Sequence, residues 1–378
     1  MNQADLNKKI MGDKGSKEKG KVNDPLSSYL ADASEKVEFL STNVITLNLL
    51  FSGKVDGGIP MGRISMIAAP PKLGKTFVGI SSLKNHQAAG KPIIVIDTER
   101  RFPYPLAEKM GLDIRQEALP VFQENSIERI KNIILKVVDD IPRDERKDVL
   151  FLVDSWGSLI TSKSIVDGLK GADVKDMTDS QKKNDLAKVI LNTRATYMVV
   201  NHVYDNTAGF GDPLKIPGAR KIAFHSDNIV MGYARSRDKD DDEISGYIIK
   251  AKCCKSSYAQ EDMVLEYRIK KDGGLDIFYG ILPDALEGGF VEKTKLNKKN
   301  AYVGVGVKGA EPKVEKDIYN AKFWLPIFQQ TDFQAYLEDK YTLKSNLDIA
   351  EDQGSLGQLK LPPEQQKKTP KGKKEPKE

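Results

Sequence analysis

Residues 63–76 read RISMIAAPPKLGKT, and this stretch decides the fold. The apolar run from Ile64 to Ala68 predicts a buried strand, and the helically spaced apolar residues after Thr76 predict a helix that ends near Gly90. A strand, a tight loop and a helix that begins at Gly-Lys-Thr make a phosphate cradle, because loop N–H groups and the helix dipole face a bound anion. We therefore expect a P-loop nucleotide site formed by Ala69, Pro70, Pro71, Lys72, Leu73, Gly74, Lys75 and Thr76.

Two side chains of this loop are expected to carry chemistry. Lys75 should reach the β- and γ-phosphates of ATP, and Thr76 should place its hydroxyl on Mg²⁺. Ala69 stands where the usual motif has Gly, which the loop accommodates if the φ of Ala69 is negative. The alternative is an ordinary loop that contains Gly-Lys-Thr by chance, and the flanking strand and helix patterns argue against it.

Acidic residues follow two further apolar runs. Residues 149–153 precede Asp154, and residues 93–96 precede Asp97 and Glu99. Because parallel strands present their carboxyl ends at one edge of a sheet, these acids should lie near the phosphate loop. We expect Asp154 to join Thr76 at Mg²⁺ and Glu99 to polarise the water that attacks the γ-phosphate. Without a phosphate loop nearby, a role as an ordinary surface residue would explain each acid as well as a role in catalysis or metal binding.

Composition and charge limit the classes of protein to which this chain can belong. The chain has 378 residues, of which 39% are hydrophobic, and a net charge of +5. Residues 1–24 hold six Lys against four acids and residues 351–378 hold seven Lys against five, so the middle is nearly neutral. Nucleic-acid binding therefore needs local basic loops rather than bulk charge. The adjacent Cys253 and Cys254, with no signal-peptide or membrane-span pattern, predict a cytoplasmic protein with no membrane partner.

The order of predicted strands and helices indicates the domain organisation. Their alternation over residues 55–291 predicts an α/β core with a largely parallel central sheet. Residues 25–54 predict a short N-terminal helical segment with a role in oligomerisation, and residues 292–350 predict a small C-terminal lobe. The polar, Lys-rich residues 1–24 and 351–378 are predicted to be disordered tails.

Two loops combine features that suit nucleic acid. Residues 203–220 hold Phe210 between two glycines and end with Lys215, Arg220 and, just beyond, Lys221, while the loop Ser162–Asp176 holds Lys163, Lys170 and Lys175. An aromatic ring beside cations suits single-stranded DNA, because bases stack on the ring and phosphates pair with the cations.

Paired lysines and one histidine complete the set of candidate residues. Lys250 and Lys252 alternate on a predicted strand, so both face an anionic partner or simply an exposed side of the sheet. Asn201 and His202 end another strand at the edge where the acids lie, although a lone His is often only a hydrogen-bonded structural residue.

The order of these pieces resembles RecA-family recombinases, most closely the UvsX-type recombinases of tailed phages. The resemblance covers about residues 40–345. The motifs that carry it are Gly57 to Ile64, Ile96-Asp97-Thr98-Glu99, Asp154-Ser155, Asn201-His202, Gly209 to Pro213, Ile248 to Lys252, Phe278-Tyr279-Gly280, Asp284-Ala285-Leu286 and Phe323 to Phe328.

The resemblance implies a RecA-like core and a DNA-dependent ATPase for recombination, repair and recombination-dependent replication. Glu99, Lys75 and His202 would be catalytic, and Lys250 and Lys252 would reach the ATP of the next subunit. Tyr279 would join the ATP-binding residues. Leu106 stands where the family has a base-stacking Tyr, so Tyr104 is the predicted substitute.

The resemblance also implies partners and leaves two rival functions. Expected partners are single-stranded DNA, homologous duplex DNA, further copies in a helical filament, and a phage single-strand binding protein and recombinase loader in the host cytoplasm. The rivals are a hexameric helicase on the same core and a non-catalytic single-strand binding protein. Rings in place of filaments would indicate the first, and absent ATP hydrolysis would indicate the second.

Overall fold

A computed structural model describes residues 36–170, 178–205, 214–216, 220–240, 243–271 and 274–344. The predicted disordered tails, Lys175 and Phe210 lie outside the described residues. For Lys215 and Arg220 only the backbone is described.

The strands among the described residues fall mostly in one sheet. They are β1 (Phe39–Leu40), β2 (Ile59–Pro60), β3 (Ile64–Ala69), β4 (Ile93–Asp97), β5 (Val121–Phe122), β6 (Leu150–Asp154), β7 (Thr196–His202), β8 (Tyr204–Asp205), β9 (Leu214–Lys215), β10 (Asn228–Asp240), β11 (Glu243–Ser256), β12 (Val264–Lys270), β13 (Gly274–Leu275), β14 (Val291–Leu296), β15 (Lys299–Gly304) and β16 (Lys313–Val314).

The helices of the described part surround these strands. They are α1 (Ile45–Ser52), α2 (Lys75–Ala88), α3 (Tyr104–Lys109), α4 (Ile127–Asp139), α5 (Ser162–Leu169), α6 (Thr178–Thr193), α7 (Arg220–His225), α8 (Leu282–Glu287), α9 (Ala321–Gln330) and α10 (Phe333–Tyr341), with short 3₁₀ turns at Arg146–Asp148, Trp156–Ser158 and Glu315–Asp317. None of the helices in the described ranges combines the length and the apolar character needed to cross a bilayer.

A nine-stranded sheet in the order β13-β12-β11-β10-β3-β7-β6-β4-β5 forms the centre. The six strands from β10 to β5 run parallel, whereas β11, β12 and β13 are antiparallel additions at one edge. This arrangement confirms the predicted α/β class and the largely parallel sheet. The phosphate loop follows β3, in the middle of the sheet, with β7 and β6 on one side of it.

Helices cover both faces of this sheet, which is why its central strands are apolar throughout. All six positions of β3 and all five of β4 are buried. Alternate side chains enter different clusters: Ile67 packs with Val78 of α2 on one face, and Met66 packs with Ile130 of α4 on the other.

The antiparallel hairpin is longer than the apolar pattern predicts. The apolar runs predict strands at Ile229–Tyr233 and Tyr247–Lys252, but β10 and β11 have 13 and 14 residues. Their polar ends still pair as far as Asp240 and Glu243, with a register shift between Asp238 and Lys239, because a hairpin with one exposed face does not require apolar residues at its tip.

The C-terminal segment packs on the core. Strands β14, β15 and β16 form a separate three-stranded sheet, and Trp324 and Phe333 are fully buried in the cluster that also contains Leu47 of α1. From Phe39 onward the described residues form one compact unit. The division into an N-terminal segment, a core and a C-terminal lobe stays a prediction.

Candidate nucleotide site

The phosphate loop has the backbone that its sequence requires. Ala69 is the last residue of β3, so it is extended and the missing glycine costs nothing in conformation. Gly74 just before α2 has φ +79°, in the left-handed region that favours glycine, and a Cβ there would lie 2.3 Å from Ile269 Cδ1. Helix α2 then begins at Lys75, with its N–H groups toward the loop.

Lys75 is folded back onto this loop. Its Nζ donates to the carbonyl oxygens of Ala69 at 2.7 Å and Pro70 at 3.0 Å. Burial lowers the pKa of Lys75, and the carboxylates of Asp154 and Glu99 oppose that shift. The ammonium group is therefore close to two acids and already stripped of much of its water.

A cavity of about 720 Å³ opens beside the loop. Its lining unites most of the residues predicted from four separate sequence motifs: Pro71, Lys72, Gly74, Lys75, Thr76, Asp97, Glu99, Asp154 and His202. Side chains that the sequence patterns did not single out complete the lining: Phe77, Arg101, Phe102, Arg235, Tyr247, Ile269, Lys270 and Lys271. Mixed cations and acids around a phosphate loop suit a nucleoside triphosphate with a divalent cation.

Thr76 and Asp154 provide the oxygens that such a cation needs. The Thr76 hydroxyl donates to Asp154 Oδ2 at 3.2 Å. Burial and, next, the nearby Glu99 carboxylate raise the pKa of Asp154 to about 6. A hydroxyl and a carboxylate are hard oxygen ligands, and Mg²⁺ typically takes only one or two such groups together with phosphates and water. The residues present therefore fit Mg²⁺.

The raised pKa of Asp154 predicts a pH-dependent stability when no divalent cation is present. Its pKa is about 6 in the folded chain against 3.8 ordinarily, so folding favours the protonated form. The ionisation penalty grows as the pH rises from about 4 to 6 and reaches about 3 kcal/mol above that. We expect Asp154→Asn to raise the free energy of unfolding by up to that amount at pH 8 in EDTA, and by little near pH 4.

Urea denaturation at the two pH values measures this difference. Asp185→Asn, at an exposed position of α6, is the control and should change stability little at either pH. An equal gain for Asp154→Asn at pH 4 and pH 8 would show that its ionisation is not the cause.

Glu99 is the centre of a hydrogen-bond network. Its Oε1 accepts from His202 Nε2 at 2.9 Å, from Ser155 Oγ at 2.8 Å and from Ser158 Oγ at 3.1 Å. Burial acts to raise the pKa of Glu99, but these hydrogen bonds outweigh it and lower the pKa below its ordinary value. Glu99 is thus ionised at neutral pH, as a group that accepts a proton from water must be.

Asp97 has a different role from that of Glu99. It is buried, and its carboxylate accepts from the backbone N–H groups of Glu99 at 3.3 Å and Phe102 at 2.9 Å. Asp97 therefore shapes the turn that presents Glu99 to the cavity.

Tyr104, predicted to stack on the base, and Tyr279, predicted to bind ATP, lie outside this cavity lining. Tyr104, at the start of α3, packs edge-on against Phe102, with ring centroids 5.1 Å apart, while Leu106 packs into the core. Tyr279 lines a neighbouring cavity, where it lies beside Arg268 and Tyr319. The ATP-binding roles of Tyr104 and Tyr279 stay predictions.

Lys250 and Lys252 also lie outside the lining of this chain's own cavity. They project from β11 on one face, because the intervening Ala251 and the flanking Ile249 and Cys253 are buried. Lys250 Nζ lies 3.3 Å from Glu266 Oε1, and Lys252 Nζ lies 2.7 Å from Asp262 Oδ1.

The predicted DNA-contacting cations are exposed wherever their side chains are described. Lys163 lies on α5, Lys170 follows it, and Lys221 lies on α7. Lys215 belongs to β9 and Arg220 begins α7. Lys175 and Phe210 lie in the parts of the chain that are not described.

Ser155 and Ser158 are the functional candidates that the motifs missed. The motifs include Ser155 only as part of the Asp-Ser pair, and its peptide bond with Asp154 is cis. Ser158 lies in the 3₁₀ turn that follows. A Ser-x-x-Ser spacing directly after the Asp154 strand was the available signal, but it says nothing about a carboxylate 59 residues away.

A phosphate loop after the central strand, with acids at the ends of two neighbouring strands, defines a P-loop ATPase. A model of the RecA N-terminal domain matches residues 18–276, which is more than half of the chain. The chain therefore belongs to the RecA family.

Individual proteins agree with this family. The recombination and repair protein of Enterobacteria phage T4 is 24% identical over 315 residues, which cover 81% of this chain and 79% of that protein. Protein RecA of Bacteroides thetaiotaomicron is 27% identical over 70% of this chain and 78% of its own length. Protein RecA of Haemophilus ducreyi is 29% identical over 68% of this chain and 67% of its own length.

These likenesses confirm the class of function that the motifs predict. The chain is a RecA-like recombinase and a DNA-dependent ATPase that binds ATP and DNA and forms oligomers. The helicase and the non-catalytic binding protein are not favoured.

Proposed function

We propose that this recombinase assembles head to tail on single-stranded DNA, binds ATP between subunits, and pairs the strand with a homologous duplex in recombination and repair. A head-to-tail contact that does not close produces a helical filament. The observation that carries the proposal is the outward pair Lys250 and Lys252, which lies outside the lining of its own phosphate cavity.

These lysines suit a partner that carries several negative charges. Lys250 and Lys252 are held at the surface by Glu266 and Asp262, and exposed ion pairs of this kind contribute only about 0–1 kcal/mol. Each lysine can therefore exchange its carboxylate for a phosphate at low cost. In the proposed filament, both lysines of one subunit reach the ATP held by the phosphate loop of the next.

Residues on the loop side hold the nucleotide and its water. Lys75 would exchange the carbonyl oxygens of Ala69 and Pro70 for the β- and γ-phosphates, while Thr76 and Asp154 would hold Mg²⁺. A bound Mg²⁺ would neutralise charge on the phosphate oxygens. Glu99 would orient the attacking water, and His202 would link Glu99 to the chain that continues toward Phe210.

Single-stranded DNA would contact two segments. The first carries Lys163, Lys170 and Lys175, and the second carries Phe210, Lys215, Arg220 and Lys221. The cations would neutralise phosphates, and Phe210 would stack against a base.

Mixing two inactive variants tests whether ATP lies between subunits. Lys75→Ala damages only the loop side of an interface, and Lys250→Ala or Lys252→Ala damages only the opposite side. We expect each variant alone to lose DNA-stimulated ATP hydrolysis. In a random equimolar mixture about a quarter of the interfaces join two undamaged sides, so partial activity should return.

The control is Lys75→Ala mixed with Lys75→Ala,Lys250→Ala, in which every loop side is damaged and no activity should return. Wild-type DNA-stimulated hydrolysis by Lys250→Ala alone would show that this lysine is not needed. If the mixture of Lys75→Ala with Lys250→Ala hydrolyses ATP at the average rate of the two separate proteins, the lysines do not act across an interface.

A further inference from the structure

The carboxylate of Glu99 is restrained by more donors than one oxygen readily accommodates. His202 Nε2, Ser155 Oγ and Ser158 Oγ all lie within 3.1 Å of the same atom, Oε1. A carboxylate oxygen offers about two lone-pair sites, so three donors saturate it. An oxygen occupied in this way is a poor acceptor for a proton from water.

Ser158 contributes to this restraint from outside the nucleotide cavity. Glu99 and His202 line the cavity, whereas Ser158 is not among its lining residues. Its hydroxyl lies 3.1 Å from Glu99 Oε1 and 3.1 Å from Ser155 Oγ. Losing this hydroxyl therefore removes a contact to Glu99 without removing a contact to the nucleotide.

We propose that Ser158 is a positioning residue that restrains Glu99 and slows ATP hydrolysis until DNA is bound. The inference rests on the proposed role of Glu99 as the residue that activates water. A hydrogen bond to an ionised carboxylate stabilises its charged form and so weakens it as a base. Catalytic efficiency of a general base follows its basicity, so releasing one donor accelerates the chemical step.

The turn that carries Ser158 is tied to the segment with the candidate DNA-binding lysines. Helix α5 begins four residues after Ser158, at Ser162, and carries the exposed Lys163. Lys183 of α6 donates to the carbonyl oxygen of Gly157 at 3.2 Å, inside the turn.

A second contact, at Asp179 of α6, joins this helix to the start of α5. Its Oδ1 accepts from the backbone N–H of Thr161 at 3.2 Å and from Ser164 Oγ at 3.1 Å. Displacement of α5 by a bound phosphate backbone is therefore transmitted to the turn and to Ser158. DNA bound at α5 thereby moves Ser158 and releases its restraint on Glu99.

The test compares Ser158→Ala with the wild type in steady-state ATP hydrolysis, with and without saturating single-stranded DNA. We expect the DNA-free kcat to rise about threefold with an unchanged KM for ATP, because one of three donors to Glu99 is lost. The DNA-saturated kcat should stay unchanged, since DNA has already released the restraint. Structural damage would lower both rates, so a rise in the DNA-free rate indicates a lost restraint on Glu99 and not a damaged structure.

Two variants serve as controls. Ser158→Thr keeps a hydroxyl and should restore the wild-type DNA-free rate. Ser164→Ala removes a hydroxyl on the same segment that contacts Asp179 rather than Glu99, and should not raise the DNA-free rate.

ATP hydrolysis by Glu99→Gln, measured in the same experiment, shows whether a negative result contradicts the role of Ser158 or the role of Glu99. An inactive Glu99→Gln together with an unchanged or reduced DNA-free kcat in Ser158→Ala overturns the restraint and leaves the role of Glu99 standing. An equal rise with and without DNA also overturns it, because DNA would then not release Ser158. An active Glu99→Gln overturns the role of Glu99, and the proposal with it.

Discussion

Lys75→Ala protein should hydrolyse ATP at least about 100-fold more slowly than the wild type, the loss typical when a preorganised donor to a transition state is removed. The ammonium group of Lys75 is the buried cation at the phosphate loop, and it lies near two carboxylates. Without it, the charge that develops on the transferred phosphoryl group loses its nearest fixed compensation. Phosphate release with saturating single-stranded DNA measures the effect.

The fold should survive this change. Among the described residues, Lys75 donates hydrogen bonds to the carbonyl oxygens of Ala69 and Pro70 in its own loop, so circular dichroism and the thermal midpoint should stay close to wild type. Lys84→Ala, on the same helix but outside the cavity lining, is the matched control and should keep full activity. Near-wild-type hydrolysis by Lys75→Ala would rule out this loop as the phosphate site.

Glu99→Gln should bind ATP with nearly wild-type affinity while kcat falls about 10²–10⁴-fold, the range typical of a lost general base. The amide oxygen of Gln can still accept from Ser155 and His202, so the geometry around the site is kept. The negative charge of the Glu99 carboxylate, which accepts a proton from water, is lost. Stable assemblies on DNA that turn over slowly are therefore expected.

Nucleotide affinity and single-turnover hydrolysis, measured on the same preparation, separate binding from chemistry. Glu108→Gln, an exposed acid on α3, is the control and should leave both quantities unchanged. Normal single-turnover hydrolysis by Glu99→Gln would exclude this carboxylate as the group that activates water, and it would return attention to Asp97.

The sequence predicts the sheet and the phosphate loop because both depend on local patterns. A doubly covered parallel strand must be apolar at every position, as β3 is, and a loop that turns into a helix at Lys75 needs Gly74 in the left-handed region. The acids were predictable for the same reason, since the carboxyl ends of β4 and β6 meet beside that loop.

Contacts between side chains from distant elements were not predictable. Ser158 reaches Glu99 across 59 residues of sequence, and only the course of the turn after β6 brings them together. Tyr279 likewise faces Arg268 rather than the phosphate cavity, because the antiparallel edge of the sheet carries it there. Periodicity identifies which face of an element is buried, but it does not identify what lies opposite.

Electron cryo-microscopy of the protein on single-stranded DNA, with a non-hydrolysable ATP analogue and Mg²⁺, tests the central claim most directly. We expect an open helical filament in which Lys250 and Lys252 of one subunit lie within hydrogen-bond distance of the phosphates bound at Lys75 of the next. Closed rings, or a filament in which both lysines remain paired with Glu266 and Asp262 away from the nucleotide, would contradict it.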